Sequence, residues 1–290
     1  MGASSIGVRP ELVERILRAY GLEWRRIHQP QKGYRNNSFP VEFADGQVLN
    51  LIFYKSELGI LGLIQASNRV SDYLAAQGLP CRRTLGPIAC LQPTGKTDQP
   101  VRKRYAGLYT YLTGQTIPWE AYTRDHIKAL GMTMSNMHAA LKPLPQGSLP
   151  DAAEIYLAIL GRMEKYFKDP GVCQALTVKL QLGAPRPELF KHYAALLKAC
   201  RRLPGQQPLH LDFVRGNILF RNRPDSAHGL KVTITGILDL EKTAFGHPLL
   251  DIARTLAFLL VDCKSKPAAK VRKHFLHSGY SKRGRAADLE

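Results

Sequence analysis

Leu209-His210-Leu211-Asp212-Phe213-Val214-Arg215-Gly216-Asn217 sets a histidine, an aspartate two positions on and an asparagine five beyond that, and Ile237-Leu238-Asp239-Leu240-Glu241 follows. Carboxylate and amide oxygens in this order suit phosphoryl transfer from a nucleotide. One carboxylate must sit beside the attacking hydroxyl, and others must hold Mg²⁺ (or Mn²⁺) against the phosphates of ATP or GTP. Asp212 is the expected catalytic base. Asn217 and Asp239 are the expected metal ligands. His210 is grouped with the catalytic residues, bracing the loop by hydrogen bonding rather than titrating in the reaction. A lone Asp or Asn most often makes a turn, yet turns explain neither the order nor the later Asp239. Glu241 falls on the same side of an extended segment as Asp239. It is either a further metal ligand or the partner of a basic side chain. Arg215, inside the loop, is a candidate contact for a nucleotide phosphate.

The elements that must position these groups follow from pattern. Pro10 to Tyr20 reads as a helix stopped by Gly21. Residues 38–43 and 48–54, joined by Ala44-Asp45-Gly46-Gln47, read as a β-hairpin. A helix over 63–77 and strands over 85–91 and 102–112 complete a small sheet. After Gly114 the texture becomes helical: 125–141 carries apolar residues at three- and four-residue spacing, and 152–167 and 188–203 follow a proline-rich linker. A strand over 232–240 delivers Asp239 at its end, and 248–261 reads as a closing helix. The expectation is an α+β chain in two lobes: residues 1–113 with an antiparallel sheet, and residues 114–290, larger, mostly helical and carrying the catalytic loop and metal-binding strand.

Composition narrows the class. The 290-residue chain is 44% hydrophobic and 22% charged, enough for a sizeable core. No apolar run approaches a membrane span, so no membrane partner is expected. Five scattered cysteines form no C-x-x-C pair, which argues against zinc and for a reducing, cytoplasmic setting. Net charge is +18, and Lys264–Arg285 holds eight Lys/Arg and no acid. A solvated basic face explains this without nucleic acid, because no aromatic platform or recognition motif accompanies it.

The chain resembles the aminoglycoside phosphotransferase-like family of small-molecule kinases, similar to homoserine and choline kinases. The resemblance rests on His210-x-Asp212-x-x-x-x-Asn217, Ile237 to Glu241 and Gly246-His247-Pro248-Leu249-Leu250-Asp251-Ile252-Ala253. Softer matches are Gly78-Leu79-Pro80, Leu130-Gly131 with Met137-His138, and the hinge segment Tyr109 to Gly114. It implies a protein-kinase-like two-lobed fold, nucleotide and metal use, and a small-molecule hydroxyl acceptor. It also implies Tyr111 and Thr113 as nucleotide contacts and Asp251 as a structural brace of the catalytic loop. Two departures stand out. The strand lysine that grips the α- and β-phosphates is replaced by Asn50, and Ser67 or Asn68 stands where its helix glutamate belongs. Losing both leaves no unpaired charge, and passes the phosphates to Asn50 and to backbone donors around Gly33. The alternative is a non-catalytic nucleotide-binding protein; a basic nucleic-acid-associated protein ranks below both.

Overall fold

The computed structural model describes residues 8, 10–32, 36–91, 103–183, 185–225 and 229–281. The expected phosphate turn at Gly33 and the end of the basic run lie outside them. In chain order the first elements are α1 (Pro10–Ala19), β1 (Arg26–Ile27), β2 (Gln31–Lys32), β3 (Asn37–Glu42) and β4 (Val48–Phe53). Next come α2 (Ile60–Ala76), β5 (Ala89–Leu91), β6 (Arg104–Thr110), α3 (Arg124–Leu141), α4 (Ala152–Tyr166) and α5 (Pro170–Leu180). The rest are α6 (Pro187–Arg201), β7 (Gln207–Leu209), β8 (Ile218–Asp225), β9 (Gly229–Ile237), β10 (Ala244–Gly246), α7 (Leu249–Asp262) and α8 (Ala268–Arg272), then a π-helix over Lys273–Tyr280. They form two compact units: Met1–Thr116 with Ile218–Asn222 and Ile234–Glu241, and Ile117–Asn217 with Arg223–Thr233 and Lys242–Glu290. The first break falls between Thr116 and Ile117, and the segment carrying Asp239 groups with the first unit.

In the first unit an antiparallel sheet runs β1-β3-β4-β6-β5, with β2 also on β3. Strand alternation in β4 decides its two faces. Leu49, Leu51 and Phe53 pack with Val13, Ile16 and Leu17 of α1. Ile52 and Tyr54 pack with Ile60 and Ile64 of α2 and with Tyr109. Each such aliphatic side chain, fully buried, contributes about 1.5–3 kcal/mol. Asn50 is two residues from Ile52 and shares the α2 face. Strand β5 covers only the end of the expected 85–91, because Gly86-Pro87 interrupts the run and proline cannot donate to a ladder. Strand β9 ends at Ile237, so Asp239 lies beyond the strand rather than at its end: it takes φ +56, which extended backbone cannot continue. Gly114 sits at φ +138, and a Cβ there would meet the Thr235 hydroxyl and Leu219. That close approach lets Gln115 and Phe220 exchange backbone hydrogen bonds of 3.0 and 2.8 Å.

The second unit is mostly helical. Thr123 and His126 cap α3 reciprocally. Helix α5 is an addition to the expected elements; it is opened by Asp169, whose side chain accepts from two backbone N–H groups, and by Pro170. The π-helix packs on α3. At their contact Gly131 leaves no room for a methyl group: a Cβ would lie 2.2 Å from the Phe275 carbonyl oxygen. Gly131→Ala is therefore expected to destabilise the protein by about 1–3 kcal/mol through overpacking. A urea melt checks it, and an unchanged midpoint would mean the two helices separate freely.

Among the described residues no helix is long and apolar enough to cross a membrane. Cys81 and Cys263 are buried and Cys90 is exposed, all as free thiols.

Candidate active site

In the second unit the loop expected to be catalytic is strung from β7, which pairs antiparallel with β10. Leu211 sits at φ +55, an outlier for a branched side chain. Asp251, fully buried in the first turn of α7, holds it there. Its Oδ2 accepts the His210 N–H at 2.8 Å and its Oδ1 accepts the Leu211 N–H at 2.6 Å. His138 lies 3.1 Å from Asp251 Oδ2 through Nε2 and 2.8 Å from the Tyr280 hydroxyl through Nδ1. Burial would raise the Asp251 pKa, but the bonds and charges from His138 and His210 outweigh it and hold the carboxyl below its ordinary range. Two further bonds fix the loop. His210 Nδ1 accepts the Asp212 N–H at 3.2 Å, and the Thr255 hydroxyl donates to the Phe213 carbonyl at 2.9 Å.

Asp212 is buried, and its carboxylate accepts three hydrogen bonds among the described residues. Arg254 Nη2 donates to Oδ1 at 2.9 Å; Lys242 Nζ donates to Oδ2 at 2.7 Å, and Asn217 Nδ2 donates to Oδ2 at 3.1 Å. Burial raises the Asp212 pKa, and the hydrogen bonds of Lys242 and Arg254 reverse that and leave it lowered. Asn217 Nδ2 also donates to the Asp212 carbonyl at 2.9 Å, so the amide oxygen is the end turned to other uses. Arg215 pairs with Asp262 at 3.3 Å.

In the first unit the Ile237 N–H donates to the Pro80 carbonyl at 2.8 Å, which draws residues 81 and 82 alongside the end of β9. Arg82 and Glu241 then form a buried ion pair of 3.2 Å. Of the two roles open to Glu241 from sequence, the structure displays the basic partner. The Arg82 guanidinium stacks 4.1 Å over the Tyr109 ring and donates to the Tyr54 hydroxyl at 3.1 Å. The Tyr54 and Tyr109 hydroxyls bond each other at 2.6 Å, and Asn68 of α2 reaches the same cluster. Desolvation opposes the Glu241 charge, yet Arg82 and then Asp239 hold its pKa below normal. Its Oε2 is buried without a hydrogen-bond partner among the described residues. The unit thus keeps one buried cation–carboxylate pair, drawn from different positions than the missing strand lysine and helix glutamate.

The expected nucleotide contacts are engaged locally. Asn50 Oδ1 accepts from the Ser38 hydroxyl at 2.5 Å. Tyr111 accepts from Gln31 at 3.4 Å, and Thr113 from Arg221 at 2.7 Å. Sequence reasoning missed Arg82, Lys242 and Arg254. Arg254 left a trace: it stands three residues after Asp251, one helical turn along the same face.

An antiparallel sheet unit, a helical unit and a loop after β7 held by a buried aspartate define a protein-kinase-like fold. Solved structures agree in fold. Amicoumacin kinase hAmiN, in complex with AMP-PNP, Ca²⁺ and Ami, is 14% identical with a TM-score of 0.65, covering 94% of this chain and 78% of its own. An aminoglycoside phosphotransferase from Alicyclobacillus acidocaldarius is 14% identical with a TM-score of 0.55, covering 96% and 80%. A microcompartment-associated aminopropanol kinase is 14% identical with a TM-score of 0.56, covering 95% and 83%. Comparison with curated proteins gives no significant match. The family model for the phosphotransferase enzyme family matches residues 26–285, and the chain belongs to that family.

Proposed function

We propose that the protein transfers the γ-phosphoryl group of ATP or GTP to a hydroxyl of a small molecule. The observation that carries this is the Asp212 carboxylate, hydrogen-bonded to Asn217 on a loop braced by Asp251. Asp212 orients the hydroxyl and takes its proton as the oxygen–phosphorus bond forms and the bond to the β-phosphate oxygen breaks. The donor set suits a hard divalent cation, Mg²⁺ or Mn²⁺. The Asn217 amide oxygen and the Asp239 carboxylate are its ligands, and the unbonded Glu241 oxygen beside Asp239 adds negative charge. When bound, the metal neutralises phosphate charge. His210 positions the Asp212 backbone through the bond to its Nδ1. A protein of similar fold supports the reading: the amicoumacin kinase forms a complex with AMP-PNP and Ca²⁺.

A second reading, nucleotide binding with little turnover, is favoured by Asn50, a neutral residue bonded to Ser38 where the family's lysine grips phosphate. One experiment separates the two. Mg²⁺-dependent ATP binding and ADP release are measured for wild type and Asp239→Ala. The variant is expected to lose metal-dependent affinity by at least the roughly 10- to 100-fold that removing even an outer partner of a metal costs. Binding without turnover across acceptors supports the second reading. Binding that ignores both Mg²⁺ and Asp239 defeats the metal assignment.

A further inference from the structure

Asp212 has more cation around it than one carboxylate requires. Lys242 Nζ and Arg254 Nη2 flank it at 2.7 and 2.9 Å, giving two positive charges against one negative. An ammonium carries three N–H donors and a guanidinium five, and only part of each set is directed at Asp212. Arg254 Nε and the Tyr156 hydroxyl are buried and lie close enough to interact with each other, and neither makes a well-formed hydrogen bond among the described residues. The Phe258 ring, 5.2 Å from the guanidinium, limits where Arg254 can swing.

The acid nearest Arg254 along α7, Asp251, is committed to the His210 and Leu211 N–H groups and to His138. Asp151 and Glu154 are both taken by Arg201, Glu164 by Lys168 and Asp262 by Arg215. Asp169 caps α5. A cationic acceptor brought to Asp212 would meet two positive charges and no unpaired carboxylate among these. An oxyanion would meet unused donors, in the fork geometry that a guanidinium offers to carboxylate and phosphate.

We propose that the acceptor is an anionic alcohol, bearing a carboxylate or phosphate that Arg254 and Lys242 hold, with Tyr156 beside them, while its hydroxyl faces Asp212. This rests on the phosphotransferase reading above. The hydroxyl oxygen bonds to the γ-phosphorus, the bond to the β-phosphate oxygen breaks, ADP or GDP leaves, and the hydroxyl proton passes to Asp212. Arg254 and Lys242 are thereby specificity-determining: they select by charge, and in the same act fix the distance between anionic group and reacting hydroxyl.

The test compares acceptors that differ in charge on one skeleton: glucuronate, glucose and glucosamine; glycerate, glycerol and 2-amino-1,3-propanediol; then a wider set of hydroxy acids and phosphate monoesters. ADP release with Mg-ATP is read above the acceptor-free rate. The acidic member of a set is expected to lead in kcat/KM by tenfold or more. In Arg254→Gln that preference over the neutral member should fall at least tenfold, and Arg254→Lys should restore part of it. The ratio cancels any loss common to both acceptors. If Arg254→Gln does not fold by circular dichroism, Lys242→Gln, at a more exposed position, takes its place. A neutral or amino acceptor in the lead, or a folded variant with its preference intact, overturns the inference. ATP turnover that no acidic compound accelerates overturns it while leaving the phosphotransferase reading; absence of ATP binding removes both.

Discussion

Replacing Asp212 by asparagine is expected to lower turnover by about 10²- to 10⁴-fold, the usual range for a positioned general base, with nucleotide binding kept. The substitution preserves shape and removes only the charge and one acceptor. Two physical terms set the size of the loss. Lys242 and Arg254 hold the Asp212 carboxyl below its ordinary 3.8, so it is a weak base at neutral pH. A weak base suits a loose transition state in which the proton moves late, and its larger task is to orient the hydroxyl in line with the γ-phosphorus. Asparagine also turns an N–H toward one of three donors, from Arg254, Lys242 and Asn217, that the carboxylate accepted. The acceptor hydroxyl then loses its place as well as its proton sink. Single-turnover measurement with saturating Mg-ATP isolates the effect in kcat. A loss smaller than tenfold would move the chemistry away from Asp212. Because its pKa is lowered, Asp212 alone imposes no fall in wild-type activity until the pH approaches the acid range below 3.8.

The local parts of this arrangement were legible in the sequence, and the long-range pairings were not. The β3–β4 hairpin follows from alternation on either side of Asp45-Gly46, and its register runs from Asn37 opposite Phe53 to Glu42 opposite Val48. Helix α3 begins and ends within one residue of its pattern. The 210–217 loop was readable because its groups lie within eight residues. Arg82 and Glu241 are 159 residues apart, and nothing local in either segment announces that the backbone bond from Ile237 to Pro80 will bring them together. The same holds for Lys242 and Arg254, which reach Asp212 from 30 and 42 residues away. Asn50 in place of a lysine reads, from sequence, as the plain loss of an ion pair. The structure shows that the first unit keeps a buried charge pair from other positions, for a reason of topology rather than composition. Helix α5 escaped notice because most of it is solvent-exposed, so no apolar stripe betrays it.

Asp251→Ala is expected to destabilise the protein by about 2–6 kcal/mol, the cost of leaving two buried backbone donors unsatisfied at about 1–3 kcal/mol each, and to abolish transfer with it. One carboxylate accepts two backbone N–H groups and meets one imidazole, all buried or nearly so. Truncation leaves the His210 and Leu211 N–H groups without acceptors in a place water does not easily reach. It also removes what keeps Leu211 at φ +55, a backbone state costing roughly 1–3 kcal/mol that persists only under constraint. Released, the loop relaxes by rotating the peptide next to Asp212, so geometry and stability fail together. The pH dependence follows from the sign of the shift. The folded carboxyl titrates below its unfolded value of 3.8, so its contribution is complete above that value and is lost as the pH falls through the lower, folded one. Wild type should therefore lose stability on acidification below about pH 4, and Asp251→Asn, which keeps an oxygen for one N–H but cannot titrate, should lose less over that interval. Denaturant melts of the three proteins at pH 7 and across the acid range measure both effects. A full-strength Asp251→Ala, folded and active, would show that the loop is held by the His210 and Thr255 bonds alone, and that the strain at Leu211 is relieved by the chain on either side of it rather than by α7.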